Sequence, residues 1–412
     1  MFHFRNAPRA QREVAPAIAA CPAILLAGGQ GTRLHELTLN ECKPAVRFGH
    51  GACLADFSLS NACHSGIRHV IAATQYCSDH LHRHLARVWR PVFERAGGSI
   101  ALRHGPSITG DAAGYAGTAA AVAENIAWLD AHAPTDVLIL AADHVYRMDY
   151  SALLETHRDS GAELTVAAAA VPRREAGAFG IIDTGPGGTI TGFLEKPADP
   201  PPMPGERDHS LASMGVYIFR WAALRRALLA DRDAAGSRHD FGFDIIPGLV
   251  ARGQAVVHLL GSPVPDEAPY WRDVGTLDSY RATHLDLLAP DSVLRRTERR
   301  WPTVPAAENA RIWSGAGRPA REGWRDSFVP AHAAVGRDVR IRDSVLAQGA
   351  QVGAGARLRN CILGAGVRIA PGTVIGEDPE EDARWFRRDA GGTILVTAAM
   401  LERRRENRPV AR

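Results

Sequence analysis

Between residues 335 and 375 an aliphatic side chain returns at a short fixed step: Val335, Ile341, Leu346, Val352, Leu358, Leu363, Ile369 and Ile375. The step is six residues, shortened to five from Ile341 to Leu346 and from Leu358 to Leu363. Gly or Ala follows most of them, as in Val335-Gly336, Leu346-Ala347, Val352-Gly353, Leu363-Gly364, Ile369-Ala370 and Ile375-Gly376. A second small or β-branched residue stands four positions on at Val339, Ala350, Ala356, Val367 and Thr373. This hexapeptide rhythm predicts a parallel β-helix, with one aliphatic turned inward per repeat. A Gly/Ala-rich loop has no reason to keep that register. A β-helix has open ends, so burial of an end on another domain or subunit is expected.

From about residue 22 to 285 the pattern differs. Apolar runs of strand type at Ala23–Ala27, Val70–Thr74, Val137–Ala141, Leu164–Ala170, Gly215–Phe219 and Val256–Leu260 alternate with helical segments such as Phe57–Gly66, Thr118–Asp130 and Tyr150–Ser160. Alternation of this kind predicts a mostly parallel sheet with helices on both faces, an α/β Rossmann-like domain. Ligands of such sheets sit beyond the carboxyl ends of the strands. The Gly28 loop, Gln75 and Asp143 each follow a strand. Residues 289–330 are rich in Pro, Arg, Trp and Gly without periodicity and suit a connector.

With 412 residues the chain has material for two cores. Its 48 basic and 45 acidic residues balance, so no bulk field favours nucleic acid or an anionic membrane. Arg403, Arg404 and Arg405 read as a solvated tail. The six cysteines have no CxxC pair and suit reduced thiols. No apolar run approaches the roughly 18 residues of a membrane span. The first twenty residues carry arginines without an apolar stretch and read as a disordered extension rather than a signal peptide. The expected location is the cytoplasm.

The run Ala23-Ile24-Leu25-Leu26-Ala27 enters Gly28-Gly29-Gln30-Gly31-Thr32-Arg33. Glycines there let the backbone approach a phosphate chain, Thr32 offers a hydroxyl and Arg33 a planar cation. It is not a Walker loop, because no Gly-Lys-Ser/Thr follows. Lys43-Pro44-Ala45 adds a second cation within reach, and together they point to nucleotide chemistry. Asp143 ends an apolar strand, where it either caps a helix or faces a crevice. Asp273 precedes another helical segment. Two converging aspartates would hold Mg²⁺, which prefers carboxylate and phosphate oxygens.

Longer motifs carry a resemblance. Leu25–Leu34, Lys43-Pro44-Ala45-Val46, Asp56-Phe57-Ser58-Leu59-Ser60-Asn61, Glu195-Lys196-Pro197, Ser210-Leu211-Ala212-Ser213-Met214-Gly215 and Tyr270-Trp271-Arg272-Asp273-Val274-Gly275-Thr276 resemble the bacterial glucose-1-phosphate adenylyltransferases. The match covers about residues 22–285 and returns at Glu381-Asp382-Ala383-Arg384 and Ile394-Leu395-Val396-Thr397. The resemblance implies a nucleotidyltransferase domain over 21–288 after a 1–20 extension, a 289–330 connector, and a left-handed β-helix with its tail over 331–412. It implies that ATP and α-glucose 1-phosphate give ADP-glucose and pyrophosphate in a homotetramer. Leu26, Ala27, Gly28, Gly29, Thr32, Gln75, Tyr115, Gly117 and Thr118 would meet the nucleotide. Gly180, Glu195, Lys196, Ser213 and Tyr217 would hold the sugar phosphate. Arg33, Lys43, Asp143 and Asp273 would be catalytic, with Asp143 and Asp273 carrying Mg²⁺.

The chain departs from the family pattern where cations are usual. Gly51 and Cys53 stand for a lysine and an arginine, Gly114 and Ala116 for a tryptophan and an arginine, Ala120 for an aspartate and Phe243 for a lysine. The expectation is retained chemistry with weakened or altered activator control. The alternative is a non-catalytic regulatory subunit of a paralogous enzyme. Another sugar 1-phosphate or nucleotide, and a hexapeptide acyltransferase, rank behind.

Overall fold

The computed structural model describes residues 16–49, 51–304, 323–330 and 333–407. Most of the expected 1–20 extension lies outside them. Its described end, Pro16–Ala19, is one helical turn with Ile18 buried, not a disordered stretch.

Two compact units form. The first comprises the chain through Gly29 with Phe57–Ala142 and Arg147–Trp271; the second joins Gln30–Asp56, Asp143–Tyr146 and Arg272 onward. This division differs from the linear boundaries expected near 288 and 330. Long-range bonds inside the second unit account for it: Tyr280 Oη donates to Arg47 O at 2.8 Å, and Gly49 N donates to His284 Nε2 at 2.9 Å.

The first unit is built on one sheet. Ala23–Ala27 lies between His69–Thr74 and Asp136–Ala141, parallel to both, and Ser99–His104 extends that half. Their interiors are continuous aliphatic runs, as strands covered on both faces require. The other half turns on His209–Arg220, which runs antiparallel to Asp136–Ala141, Leu164–Pro172 and Gly180–Thr184. That strand has 12 residues, longer than the Gly215–Phe219 run suggested, and its register shifts between Ser213 and Tyr217. Helix Tyr150–Ser160 forms over the expected span. The expected helix Thr118–Asp130 is instead two, Thr118–Ala123 and Ile126–Ala131. Buried Asn125 sits at the break: its Nδ2 donates to Ala121 O at 2.7 Å and its Oδ1 accepts from Arg103 Nε at 2.8 Å. A side-chain amide bonded this way competes with the helical ladder.

His258 on the strand Ala255–Leu259 is buried, with Nδ1 2.8 Å from Thr156 Oγ1. Burial pushes its pKa from 6.5 down to about 4. The unfolded chain therefore binds the extra proton between those values, and stability falls as pH drops through that window, with no contribution above it. A fall of about 3 kcal/mol is expected by linkage. Urea unfolding of His258→Gln from pH 7 to 4 should show a flatter stability curve than the parent chain.

The second unit contains the coil. Trp324 pairs in parallel with Ile341, Ile341 with Leu358 and Leu358 with Ile375, one turn every 17 residues. Val335, Val352 and Ile369 form a second side, and Val345–Leu346 with Cys361–Leu363 a third. Two steps of six and one of five make such a turn, which explains the short intervals. From Ile341 onward the periodic aliphatics are at most 4% exposed, and Gly or Ala after them leaves room at the corners. The first strand, Trp324–Arg325, precedes the expected start at 331. The third side closes late: Cys361 pairs with Ile394 rather than 17 residues on, because an excursion carries helix Pro379–Trp385 and strand Arg387–Arg388. Helix Ala398–Glu406 follows, capped by Thr397. Arg404 is not part of a solvated tail: it is 7% exposed, 3.4 Å from Glu381 Oε1, with its guanidinium 5.4 Å above the Phe386 ring. No helix among the described residues is long and apolar enough to cross a membrane, and the six cysteines are unpaired.

Candidate active site

Lys43 opens a single turn, Lys43–Ala45, in which Pro44 presets the backbone. Its side chain is 7% exposed, and Nζ donates to Asp143 Oδ2 at 2.8 Å and to Asp273 Oδ1 at 3.0 Å. Asp143 does not cap a helix. The strand His144–Tyr146 follows it and pairs with Trp271–Asp273, which brings the two aspartates together. Burial pushes the Asp143 carboxyl up, but the charge of Lys43, then His144 and the hydrogen bond from Lys43, hold it well below the usual carboxylate range. Burial likewise pushes Lys43 down, and the two aspartates more than reverse it. The cation and the Asp143 carboxylate stay charged through neutral pH.

His144 escaped the sequence reading, although its place beside Asp143 was the available signal. Its Nε2 lies 3.5 Å from Asp143 Oδ1 and 3.7 Å from Asp273 Oδ1. One ligand atom from each of Asp143, His144 and Asp273 falls within 4.8 Å of the others. Two hard carboxylate oxygens suit a divalent cation, and the Lys43 ammonium bridges these same oxygens as a cation would. The donor set therefore fits a metal.

Two glycines make the cluster compact. A Cβ on Gly31, at φ +66°, would lie 2.8 Å from Lys43 Cβ. A Cβ on Gly275 would lie 2.6 Å from Asp273 Oδ2 and 3.0 Å from an Arg33 amino nitrogen. Arg33 and Asp273 thus flank Gly275, and all four residues expected to be catalytic belong to one cluster. Thr32 opens the turn Thr32–Thr38 that carries Arg33.

The other expected nucleotide residues lie in the first unit. Leu26 and Ala27 end the central strand, and Gly28 packs on Gln75, whose Cβ a Gly28 Cβ would approach to 3.3 Å. Gly29 has open space beside it. Gln75 is also a fastener: Nε2 donates to Ala113 O at 2.7 Å and Oε1 accepts from Tyr115 N at 3.1 Å. Tyr115 turns its ring into the core, and its hydroxyl donates to Arg103 O at 3.1 Å. Gly117 passes His239 O too closely for any side chain, and Thr118 Oγ1 donates to Asp240 Oδ2 at 3.0 Å.

The expected sugar-phosphate residues also gather in the first unit. Glu195 lies against Gly180 and Gly242, either of which would strike its carboxylate if it had a Cβ. Glu195 Oε1 accepts from Lys196 Nζ at 2.7 Å, and Lys196 is held at φ +49°, a strained position for a lysine. Ser213 Oγ is 3.2 Å from Tyr217 Oη at the register shift. Burial pushes the Tyr217 phenol far up, against its bond to Ser213. Gly242 was not among the expected sugar-phosphate residues, although His239-Asp240-Phe241-Gly242 is one of the runs that resemble the family.

The Nucleotidyl transferase family profile matches residues 22–289, and the GlmU-like, C-terminal hexapeptide profile matches 322–396. Three proteins named glucose-1-phosphate adenylyltransferase are similar over nearly the whole chain. That of Jannaschia sp. (strain CCS1) is 42% identical, covering 92% of this chain and 96% of the relative. That of Cereibacter sphaeroides (strain ATCC 17029 / ATH 2.4.9) is 40% identical, covering 94% and 96%. That of Agrobacterium fabrum (strain C58 / ATCC 33970) is 38% identical, covering 95% and 99%. The chain belongs to the glucose-1-phosphate adenylyltransferase family. The hexapeptide match assigns its coil to the left-handed β-helix class. Of the positions where the sequence reading expected a departure from the family pattern, Cys53 is buried, Ala116 is exposed, and Phe243 is 44% exposed beneath the Arg238 guanidinium at 4.1 Å.

Proposed function

We propose that this chain catalyses adenylyl transfer from ATP to α-D-glucose 1-phosphate, giving ADP-glucose and pyrophosphate for glycogen or α-glucan synthesis. The observation that carries the reading is Lys43 bridging Asp143 and Asp273 in a chain of this family. The sugar phosphate is already an anionic nucleophile. Its oxygen forms the new bond to the α-phosphorus of ATP as the bond to pyrophosphate breaks, so no general base is needed. Alignment and neutralisation of two repelling anions are needed instead.

Asp143 and Asp273, with His144 beside them, would hold Mg²⁺, which when bound neutralises triphosphate charge. Lys43, buried between the two carboxylates, would present its ammonium to phosphate oxygens of the same triphosphate, and Arg33 would serve the same chain. Glu195 keeps Lys196 positioned for the sugar phosphate. Lys196→Gln should raise KM for glucose 1-phosphate by about tenfold or more, since a charge-assisted bond contributes about 1.5–3 kcal/mol. KM for ATP should change little.

Activator control is weakened or altered in this reading, because no cation stands at Gly51, Cys53, Ala116 or Phe243. The protein acts as a cytoplasmic homotetramer, which light scattering of the purified chain would test. Pyrophosphate release with ATP, Mg²⁺ and glucose 1-phosphate tests the activity. ATP or sugar-phosphate binding without turnover would move the assignment to a regulatory subunit partnering a paralogue.

A further inference from the structure

A loop beside the sugar-phosphate residues carries an arginine that an aromatic ring holds. The guanidinium carbon of Arg238 stands 4.1 Å from the centre of the Phe243 ring. Among the described residues Arg238 has no carboxylate within salt-bridge distance, although four aspartates lie within seven positions of it. Each of the four is engaged elsewhere. Asp231 accepts from Ser237 Oγ at 2.6 Å and stands 2.9 Å from His239 Nδ1, and Asp233 pairs with Arg232. Asp240 Oδ1 accepts from Gly242 N at 2.8 Å and its Oδ2 from Thr118 Oγ1 at 3.0 Å. Asp244 Oδ2 accepts from Asp240 N at 2.9 Å. An aromatic face holds a guanidinium by its plane and leaves the N–H donors on its rim open.

The segment that carries this stack is fastened at both ends. His239 is held at φ +53°, a left-handed position that a histidine keeps only where its surroundings impose it. His239 O accepts from Ala119 N at 2.7 Å, and Arg238 O passes so close to Gly117 that a side chain there has no room. Gly242, at the other end, abuts Glu195: a Cβ on it would lie 2.7 Å from Oε2. Arg238 and Phe243 therefore lie on a loop tied to the Gly117–Thr118 turn on one side and to Glu195 on the other.

Charge gives the stack a use. A phosphate ester carries about 1.5 to 2 negative charges at pH 7. Of the five residues expected to hold the sugar phosphate, Lys196 alone is a cation, and Glu195 already pairs with it at 2.7 Å. A second cation is missing from that set. At 243, where the family pattern has a lysine, the phenyl ring brings no charge of its own. The stack sets the Arg238 cation against that same residue.

We propose that Arg238, held by Phe243, binds the phosphate of the sugar phosphate and takes the place of the lysine that the family pattern has at 243. The proposal rests on the adenylyltransferase reading and adds a residue to its sugar-phosphate site. A planar guanidinium donates two parallel bonds to phosphate oxygens, and the ring keeps it ordered before the ligand arrives. Glucose 1-phosphate titrated calorimetrically into the full chain is the test, with steady-state pyrophosphate release beside it. Arg238→Gln should weaken glucose 1-phosphate binding and raise its KM by about tenfold or more. KM for ATP and thermal unfolding should stay as in the parent chain. Arg232→Gln, which removes a nearby exposed charge paired with Asp233, should change neither KM. Phe243→Leu should cost about threefold, because the cation remains while its support is lost. Phe243→Lys added to Arg238→Gln should recover the lost affinity to within about threefold. Unchanged glucose 1-phosphate binding in Arg238→Gln would overturn the proposal, and so would a loss confined to ATP. A double variant no better than Arg238→Gln would overturn the exchange of Arg238 for the lysine. If the parent chain binds glucose 1-phosphate without turnover, the reading of the chain as an enzyme fails and the titrations still decide Arg238. A parent chain that does not bind it overturns both.

Discussion

Asp143→Asn should lower kcat for pyrophosphate release by about 10³ or more while leaving the fold intact. The substitution is isosteric, so packing at the strand junction is preserved. What it removes is one of two anionic ligands in the position where a divalent cation fits, together with half of the charge that holds Lys43. Asp273 still faces Lys43, so the buried ammonium is not stranded, and thermal unfolding should shift little. The complementary change is Lys43→Met. It leaves Asp143 and Asp273 facing each other without their cation, and Asp143 loses the charge that outweighs its burial. Its pKa should rise, moving the acid limb of any remaining pH–rate profile upward. A kcat for Asp143→Asn within tenfold of the parent chain would remove the pair from the proposed chemistry.

Gly275→Ala should cost about 10²-fold in kcat/KM by displacement alone, with no chemical group removed. The added methyl would sit 2.6 Å from Asp273 Oδ2, closer than real Cβ atoms approach, and in tight contact at 3.0 Å with an Arg33 amino nitrogen. Either Asp273 turns away from Lys43 or Arg33 is driven off. Both break an arrangement that depends on placement. The expected signature is a raised Mg²⁺ requirement with unchanged thermal unfolding. Normal Mg²⁺ dependence and normal kcat/KM would show that the cluster tolerates movement and that alignment is not what it supplies.

Some of this was readable from local patterns. Eight aliphatics at steps of six and five required a coil, because no other repeating structure turns one side chain inward at that interval. The strand entering Gly28 was legible for a similar reason: a short aliphatic run bounded by glycines has few alternatives. Helix Thr118–Asp130 was misread as continuous because its alanines favour helix throughout. The break comes from Asn125 bonding to Arg103, a residue on another strand. Tyr115 stands in a motif expected at the nucleotide, and that its ring packs into the core while its backbone N donates to Gln75 is a tertiary feature.

The sequence by itself determined the periodic parts: which segments become strands, which become coil, and which residue types gather at glycine turns. Those features depend on neighbours a few residues apart. Only the tertiary structure decided that Lys43 stands between partners 100 and 230 residues away, that His144 joins them, and that Gly275 must lack a side chain. It also decided that the last turn of the coil detours through helix Pro379–Trp385 before closing on Ile394. Such convergence follows from strand order and loop closure. Pair distances of that kind have no periodic trace in the chain.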